Sequence, residues 1–197
     1  MVRRRGLEEP AADERDLGPP ADPGSVARTI LLNKLTGQAR SRHELAEALE
    51  AKHVPPDVAT AALDRFEEVG MIDDQAFAVA WVESRQSTRG LSRRALAFEL
   101  RRKGVADDVI LDSVDAIDPE RERALARDLV DRRLRSTRRL DRQSRFRRLT
   151  AALARKGYPA GLCAAVVRAA IAADERASGA SGAGELDEVV REDFGVD

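Results

Sequence analysis

Apolar residues recur along the middle of the chain at intervals of three and four residues, and this period predicts amphipathic α-helices. The clearest examples are pairs of leucines four residues apart, which place both side chains on one helix face. Three such pairs occur: Leu45 and Leu49, Leu96 and Leu100, Leu149 and Leu153. No stretch shows the sustained two-residue alternation with β-branched residues that is typical of a strand. The pattern therefore predicts an all-α protein.

The three leucine pairs belong to three copies of one longer pattern. Residues 48–59 read ALEAKHVPPDVA, residues 99–110 read ELRRKGVADDVI, and residues 152–163 read ALARKGYPAGLC. In each copy a helix ends at a lysine followed by histidine or glycine, and a new helix starts after a short break. An earlier apolar pair precedes each leucine pair: Val26 and Ile30, Phe77 and Trp81, Ala126 and Val130. The repeat therefore has three helices and occurs three times.

These repeats predict the domain organisation of the chain. The third copy holds about four additional residues before Leu149, close to one helical turn, so its apolar face stays in phase. A unit of about fifty residues buries too little surface to be stable alone, whereas stacked units share their apolar faces. We expect residues 25–72, 73–118 and 119–173 to form three tandem three-helix repeats in an elongated, curved array. Such an array offers a long surface that suits an extended partner.

The two flanking segments differ from the repeats in composition. Residues 1–24 end in the run LGPPADPG and carry a net charge of −2, whereas residues 174–197 contain ASGASGAGE and carry −6. Polar, Pro-rich or Gly-rich runs of this kind favour disorder. We therefore expect a disordered N-terminal tail over residues 1–24 and a flexible acidic C-terminal tail over residues 174–197.

Polar residues and glycines mark the predicted helix boundaries. The expected N-terminal caps are Ser41 in a capping box with Glu44, Ser92, Asp118 before Pro119, and Asp141. The helix ends expected in the left-handed conformation are Gly70, Gly104 and Gly157. Two acidic pairs, Asp73–Asp74 and Asp107–Asp108, precede predicted helices. Capping and the positive end of the helix dipole explain these pairs better than paired catalytic carboxylates do.

The sequence lacks the motifs of common catalytic sites. It contains no Gly-rich phosphate loop, no GxSxG and no HExxH, so we expect neither an enzyme nor a bound cofactor. No metal-ligand spacing surrounds His43 and His53, so no metal site is expected. Cys163 is the only cysteine, and its apolar helical setting predicts a core residue. No apolar segment suits a signal peptide or a membrane span, so we expect a cytoplasmic protein.

Arginine dominates the charge of the helical body, since thirty of the thirty-four basic residues are arginines. Residues 121–156 hold fourteen basic residues against four acidic ones, a net charge of +10. Such a cluster repels itself unless a polyanion or an acidic protein surface receives it. Charge alone leaves open whether the receiver carries phosphates or carboxylates.

Three stretches carry a resemblance to a known family. They are GMIDDQAFAVAWVESR at residues 70–85, RGLSRRALAFELRRKGV at residues 89–105 and LARKGY at residues 153–158. On these residues, and on the layout of three times three helices, residues 25–173 resemble the RecX family of recombination regulators. The first repeat departs from the pattern, because His53 stands where Gly104 and Gly157 stand in the other copies.

The resemblance implies a non-enzymatic modulator, mainly an inhibitor, of the RecA recombinase in homologous recombination, DNA repair and the SOS response. Members of this family lie in the groove of the RecA–DNA filament and lower its ATPase and strand-exchange activity. The expected partner is therefore the RecA filament, with weak contact to the DNA backbone, no membrane contact and a monomeric chain.

The motif and the charge density together name the candidate residues. Those expected to bind the partner are Arg89, Arg93, Arg94, Arg101, Arg102 and Lys103 in the second repeat, and Arg138, Arg139, Arg142, Arg145, Arg147 and Arg148 in the third. Those expected to have a structural role are Asp73, Asp74, Phe77, Trp81, Leu96, Leu100 and Gly104. Among the latter, Asp73 is an expected cap, and Phe77 and Trp81 are expected packing anchors.

Two other functions fit the same residues. Three-helix units with a basic helix also describe helix-turn-helix DNA-binding proteins, which predicts sequence-specific binding to duplex DNA. A general helical scaffold for a different partner predicts no effect on RecA. Weak, salt-sensitive DNA binding does not separate these functions, because any protein body this basic shows some.

Overall fold

The structure, a computed structural model, describes residues 22–193, with side chains described for residues 22–179. Within these residues the chain forms nine α-helices and one short 3-10 helix, and no strand. The α-helices are α1 (Pro23–Gly37), α2 (Arg42–Glu50), α3 (Pro56–Glu68), α4 (Asp74–Arg89), α5 (Arg93–Arg102), α6 (Asp107–Asp115), α7 (Pro119–Leu134), α8 (Arg142–Ala154) and α9 (Ala160–Asp193). The 3-10 helix, Arg135–Thr137, lies between α7 and α8.

The nine helices form three units of three. Helices α1 to α3, α4 to α6 and α7 to α9 pack within their own group, and each group encloses its own hydrophobic core. The predicted leucine pairs lie in these cores, where all six side chains are at most 1% exposed. Burying one such side chain contributes about 2 kcal/mol. The predicted fold class, an all-α chain of three tandem three-helix repeats, is confirmed.

Each lysine–glycine helix end packs against the N-terminus of the second helix of the preceding repeat. At the first junction the Ser41 hydroxyl donates a hydrogen bond of 2.5 Å to the carbonyl oxygen of Lys103. At the second junction the backbone N–H of Ser92 donates one of 3.0 Å to the carbonyl oxygen of Lys156. Both serines are 0% exposed. The caps of α2 and α5 are therefore also the docking points of the next repeat.

A second pair of equivalent hydrogen bonds crosses the two junctions. The backbone N–H of Arg42 donates to the Asp74 carboxylate, and that of Arg93 donates to the Glu122 carboxylate, both at 2.8 Å. Each donor is the first residue of a second helix, and each acceptor lies at the start of the following repeat. Among the described residues, every hydrogen bond and ion pair between repeats joins neighbouring repeats, so the array is elongated.

Two glycines permit this close docking. Gly104 has φ 70° and Gly157 has φ 85°, a left-handed conformation that other residues adopt at a cost. A Cβ atom at Gly104 would lie 2.2 Å from a ring carbon of His43, and one at Gly157 would lie 2.7 Å from the Cβ of Ala95. Glycine is therefore required at both positions for its backbone conformation and for its lack of a side chain.

The first repeat shows which of these two requirements is the stricter. His53 occupies the corresponding helix end and has φ 57°, so its backbone adopts the same left-handed conformation. No repeat packs against it within the part of the chain that the structure describes, and its side chain is exposed. A non-glycine residue in this conformation costs only about 1–2 kcal/mol. A side chain is therefore tolerated at His53, in place of glycine, because no described repeat packs against this helix end.

The outer boundaries of the array differ from those expected. Helix α1 begins at Pro23 with Asp22 as its cap, so the first repeat starts before residue 25. Helix α9 continues past residue 173 and Asp174 is only 8% exposed, so the expected start of a flexible tail at residue 174 is too early. The rest of the two predicted tails, residues 1–21 and the side chains of residues 180–197, lies outside the described residues.

The four additional residues of the third repeat lengthen α8. This helix has 13 residues, whereas α5 has 10. The extra turn lies at the N-terminus of α8, ahead of the leucine pair. The position four residues before that pair is Ser41 or Ser92 in the first two repeats and Arg145 in the third. The third repeat therefore has no serine cap at the place where the other two accept a neighbour.

Most of the predicted helix caps are present. Ser41, Ser92, Asp118 and Asp141 each accept a hydrogen bond from a backbone N–H of the helix that follows, and Asp73 caps α4 in the same way. The pair Asp107–Asp108 does not cap α6. The cap position is Ala106, which offers no side-chain hydrogen bond, and both aspartates lie in the first helical turn. Only the expected interaction with the helix dipole remains for this pair.

The junction geometry predicts unequal effects of substitution at the three helix ends. Gly104→Ala and Gly157→Ala should each lower the free energy of unfolding by more than about 2 kcal/mol, because a backbone penalty and a steric clash add. His53→Gly should raise it slightly, because only the backbone penalty is removed. Urea unfolding followed by circular dichroism measures all three, and equal effects at the three positions would contradict this account of the junctions.

Candidate partner-binding surface

The described residues offer little that resembles a reaction centre. They hold no group of three or more His, Cys, Asp or Glu side chains that could bind a metal ion. Cys163 is buried, its thiol donates to the Tyr158 carbonyl oxygen, and burial raises its pKa. None of the described helices combines the length and the apolarity needed to cross a bilayer.

Arg93, a predicted binding residue, is engaged within the protein. Its Nε donates a hydrogen bond of 2.9 Å to the carbonyl oxygen of Val114, and its guanidinium pairs with Asp115. Its backbone N–H forms the bond to Glu122 at the second junction. The side chain of Arg93 therefore holds α5 against α6, while its backbone joins the second repeat to the third.

A cluster around Trp81 engages two more of the predicted cations, Arg89 and Lys103. The indole Nε1 donates a hydrogen bond of 3.0 Å to Glu99, which also pairs with Arg85 at 3.3 Å and with Arg89 at 3.5 Å. The Arg85 guanidinium lies 4.0 Å from the indole ring centroid, and the Lys103 ammonium lies 5.0 Å from it. Lys103 also pairs with Glu44 of the first repeat. Arg101 is paired as well, with Asp107 at 2.8 Å. These contacts stabilise the second repeat and its junction with the first.

Trp81 and Phe77, the predicted packing anchors, lie against each other in the second repeat. Their rings stack with centroids 5.6 Å apart. Phe77 is 6% exposed within the second core, and Trp81 is partly buried against that core. The predicted structural residues Leu96, Leu100 and Gly104 are likewise in the core or at the junction.

Two predicted binding arginines of the third repeat form an ion triad with a buried aspartate. Asp174 on α9 accepts hydrogen bonds of 2.6 Å from Arg138 and from Arg145. Arg145 is 6% exposed and Asp174 is 8% exposed, whereas the Arg138 side chain is 53% exposed. The bonds from Arg138 and then Arg145 lower the pKa of Asp174. Arg138 and Arg145 therefore hold α9 against the rest of the third repeat, and Arg145 is buried away from any partner.

The remaining candidates define a smaller set. Among the described residues, no ion pair involves Arg94, Arg102, Arg139, Arg147 or Arg148, and all five are exposed. Arg142 contacts Glu175 at 3.5 Å but remains 70% exposed. The five unpaired arginines are therefore available to an anionic partner, and Arg142 is available in part.

Comparison of the three second helices places Arg94, Arg102 and Arg147 at positions where both the second and the third repeat carry arginine. Two residues before the leucine pair stand His43, Arg94 and Arg147, and six residues after its first leucine stand Ala51, Arg102 and Arg155. Arg155 is exposed, although the charge pattern alone did not single it out. We call Arg94, Arg102, Arg147, Arg148 and Arg155 the arginine surface. It covers the exposed faces of α5 and α8 and is absent from α2.

Charge is divided unequally between the repeats. Residues 119–173 contain fifteen basic and five acidic residues, a net charge of +10. Residues 73–118 contain seven basic and nine acidic residues, a net charge of −2. Electrostatic attraction of a polyanion is therefore strongest at the third repeat.

These features define a tandem three-helix repeat protein with an exposed basic surface, and comparison with known proteins identifies its family. Family models described as the first, second and third three-helix domains of RecX match residues 27–66, 73–112 and 120–167. The regulatory protein RecX of Streptomyces coelicolor is 56% identical over 153 residues, 78% of this chain and 81% of the relative. The chain therefore belongs to the RecX family, as its motifs indicated.

Other relatives agree with this assignment. The regulatory protein RecX of Thermobifida fusca is 47% identical over 174 residues, 85% of this chain and 94% of the relative. The crystal structure of RecX from Lactobacillus salivarius superimposes with a TM-score of 0.70 at 17% identity, covering 76% of this chain and 97% of the other. At this low identity the structural match supports the fold alone.

Replacing Asp174 tests how much the ion triad contributes to the stability of the third repeat. Asp174→Ala leaves Arg145 buried without a partner and should lower the free energy of unfolding by about 3–5 kcal/mol. Glu175→Gln is the matched control, because it alters the neighbouring acidic residue at an exposed pair and should cost less than about 1 kcal/mol. Chemical denaturation measures both. A loss below 1 kcal/mol in the Asp174 variant would show that the triad does not stabilise the third repeat.

The lowered pKa of Asp174 predicts how stability depends on pH. Because the folded pKa lies below the unfolded value, the triad contributes fully above pH 4. As the pH falls from 4 through the folded pKa, the unfolded state binds the proton first and the contribution is lost. The free energy of unfolding, measured between pH 6 and pH 2, should fall more steeply with decreasing pH for the wild type than for Asp174→Asn. Parallel curves for the two proteins would contradict the triad as the source.

Proposed function

We propose that this chain is a non-enzymatic regulator, mainly an inhibitor, of the RecA recombinase. In this proposal it acts in the cytoplasm as a monomer, binds in the groove of the RecA–DNA filament, and lowers ATP hydrolysis and strand exchange. Membership of the RecX family of regulatory proteins supports the proposal. The structural observation that carries it is the elongated array, which presents exposed arginines at equivalent positions of its second and third repeats.

The mechanism requires no bond to be made or broken. An array that contacts successive subunits of a filament favours the arrangement of those subunits to which it binds best. If ATP hydrolysis and strand exchange require the subunits to move, the favoured arrangement slows both by a shift in population. The hydrogen-bonded, glycine-dependent junctions support this mechanism, because they hold the repeats in a defined relative position.

The arginine surface supplies the electrostatic part of the contact. Guanidinium groups form paired hydrogen bonds with both carboxylates and phosphates, so acidic side chains of RecA and the DNA backbone are both suitable receivers. The charge of +10 on the third repeat favours the third repeat for any contact with DNA. Such contacts weaken steeply as the salt concentration rises.

The helix-turn-helix alternative is disfavoured by the charge of the third helices. In that class a helix of each unit enters the major groove between two rows of phosphates. Helix α6 contains four aspartates and no basic residue, and α3 contains four acidic residues and one arginine. Two of the three candidate recognition helices would therefore be repelled by DNA. A scaffold for a different partner remains the reading that a failed RecA experiment would favour.

A titration of RecA activity tests the proposal. Adding the purified protein to RecA, single-stranded DNA and ATP should lower the ATPase rate in a saturable manner. The triple variant Arg94→Glu, Arg147→Glu and Arg148→Glu should require at least about ten times more protein for half-maximal inhibition, because three attractive charges become repulsive.

A control of equal charge change separates the arginine surface from total charge. The triple variant Arg28→Glu, Lys34→Glu and Arg65→Glu alters three exposed basic residues of the first repeat and should inhibit almost as well as the wild type. An unchanged ATPase rate at several-fold excess of wild-type protein would refute the proposed function. Equal losses in both triple variants would refute the role of the arginine surface.

A further inference from the structure

Phe98 is an exposed aromatic residue in the middle of α5. Its side chain is 62% exposed, whereas Phe66, Phe77 and Tyr158 are each at most 7% exposed. Trp81 and Phe146, the other aromatic residues among the described side chains, are partly buried. Exposure of a large apolar side chain forgoes the free energy that its burial would supply. Phe98 is the most exposed large apolar side chain among the described residues.

The internal repeats show that the fold does not require an aromatic residue at this position. Two residues after the first leucine of each pair stand Glu47, Phe98 and Ala151, and all three are exposed. The same helix, at the same place in the same fold, is therefore formed equally well with a carboxylate or a methyl group. Phe98 contributes nothing to packing that the other repeats need.

The neighbours of Phe98 are arginines. On α5, Arg94 lies four residues before it and Arg101 and Arg102 lie three and four residues after it, so all three border the same helix face. Arg101 is paired with Asp107, whereas Arg94 and Arg102 make no ion pair among the described residues. An aromatic side chain flanked by available arginines has the composition that dominates the binding energy of protein–protein interfaces.

The charge of the second repeat favours a protein over a nucleic acid as the occupant. Aromatic residues beside arginines also stack on bases in single-stranded DNA. However, the second repeat carries a net charge of −2, and α6 of that repeat presents exposed carboxylates at Asp108 and Asp112, in addition to Asp107 and Asp115, which pair with Arg101 and Arg93. A continuous row of phosphates would be repelled there, whereas a folded surface with a few localised carboxylates would not.

We infer that Phe98, Arg94 and Arg102 form a docking patch for an acidic protein surface that contains an apolar recess. Phe98 enters the recess, and the two arginines pair with carboxylates at its rim. This inference rests on the proposed function, in which the receiving protein is a RecA subunit of the filament. The second repeat then supplies the specific protein contact, while the third repeat supplies the general electrostatic attraction.

The substitution Phe98→Ala tests the patch, because alanine is the residue that the third repeat already carries at this position. Its affinity for filaments of RecA on single-stranded DNA should fall at least about ten-fold, and its thermal unfolding should be unchanged. The matched control is Leu111→Ala, which removes a 51% exposed apolar side chain from α6 of the same repeat and should bind within two-fold of the wild type. Fluorescence anisotropy of the labelled protein measures all three affinities.

The possible outcomes separate the inference from the proposed function. Wild-type affinity for the filament with an equal affinity of Phe98→Ala would overturn the patch and leave the proposed function intact. An equal loss in Phe98→Ala and Leu111→Ala would also overturn it, because the effect would not be specific. A parallel loss of affinity for single-stranded DNA without RecA would assign Phe98 to base stacking and overturn the protein partner. No binding of the wild type to the filament would refute both proposals.

Discussion

The array depends on the close contact between a helix end of one repeat and a helix start of the preceding repeat. Backbone carbonyls of Lys103 and Lys156 reach buried serine caps, and this approach is possible only because glycine follows each lysine. The junction thus satisfies polar groups at a helix end and buries them in one step. Both junctions contain this contact, and it fixes the distance and direction between successive repeats. The spacing of the surface arginines follows from that placement of the repeats.

Local features of the fold were predictable from sequence, and contacts over long separations were not. The leucine pairs, the serine and aspartate caps and the helix ends are all governed by residues within one or two turns. The docking of the helix end at Lys103 and Gly104 involves Ser41, which lies 62 residues before Lys103 along the chain, whereas the sequence showed only the effect of Gly104 on backbone conformation. In the sequence His53 is only a departure from the repeat pattern. In the structure it marks the one helix end of the three against which no described repeat packs.

The sequence predicted where positive charge is concentrated, but it did not predict which of the charged side chains are available to a partner. Arg93, Arg138 and Arg145 contribute to the positive charge of their segments, yet each pairs with an acidic residue of its own repeat. The partner of the last two, Asp174, was assigned to a tail because polar and small residues follow it. The sequence did not predict a role for Phe98, because one phenylalanine within a helix forms no recognisable motif. Its distinction emerges only when the three repeats are compared position by position.

The two ends of the array differ from its middle, and this difference restricts which deletions or exchanges of repeats preserve the junctions. A shortened chain without the second repeat would bring Ser41 against Gly157, a cap and a glycine that match in kind. A chain with its first and third repeats exchanged would bring Gly104 against the elongated α8, which has no serine cap there, and the side chain of His53 against Ser92, where the present chain has a glycine. Units of this protein are therefore removable from the centre but are not interchangeable at the termini.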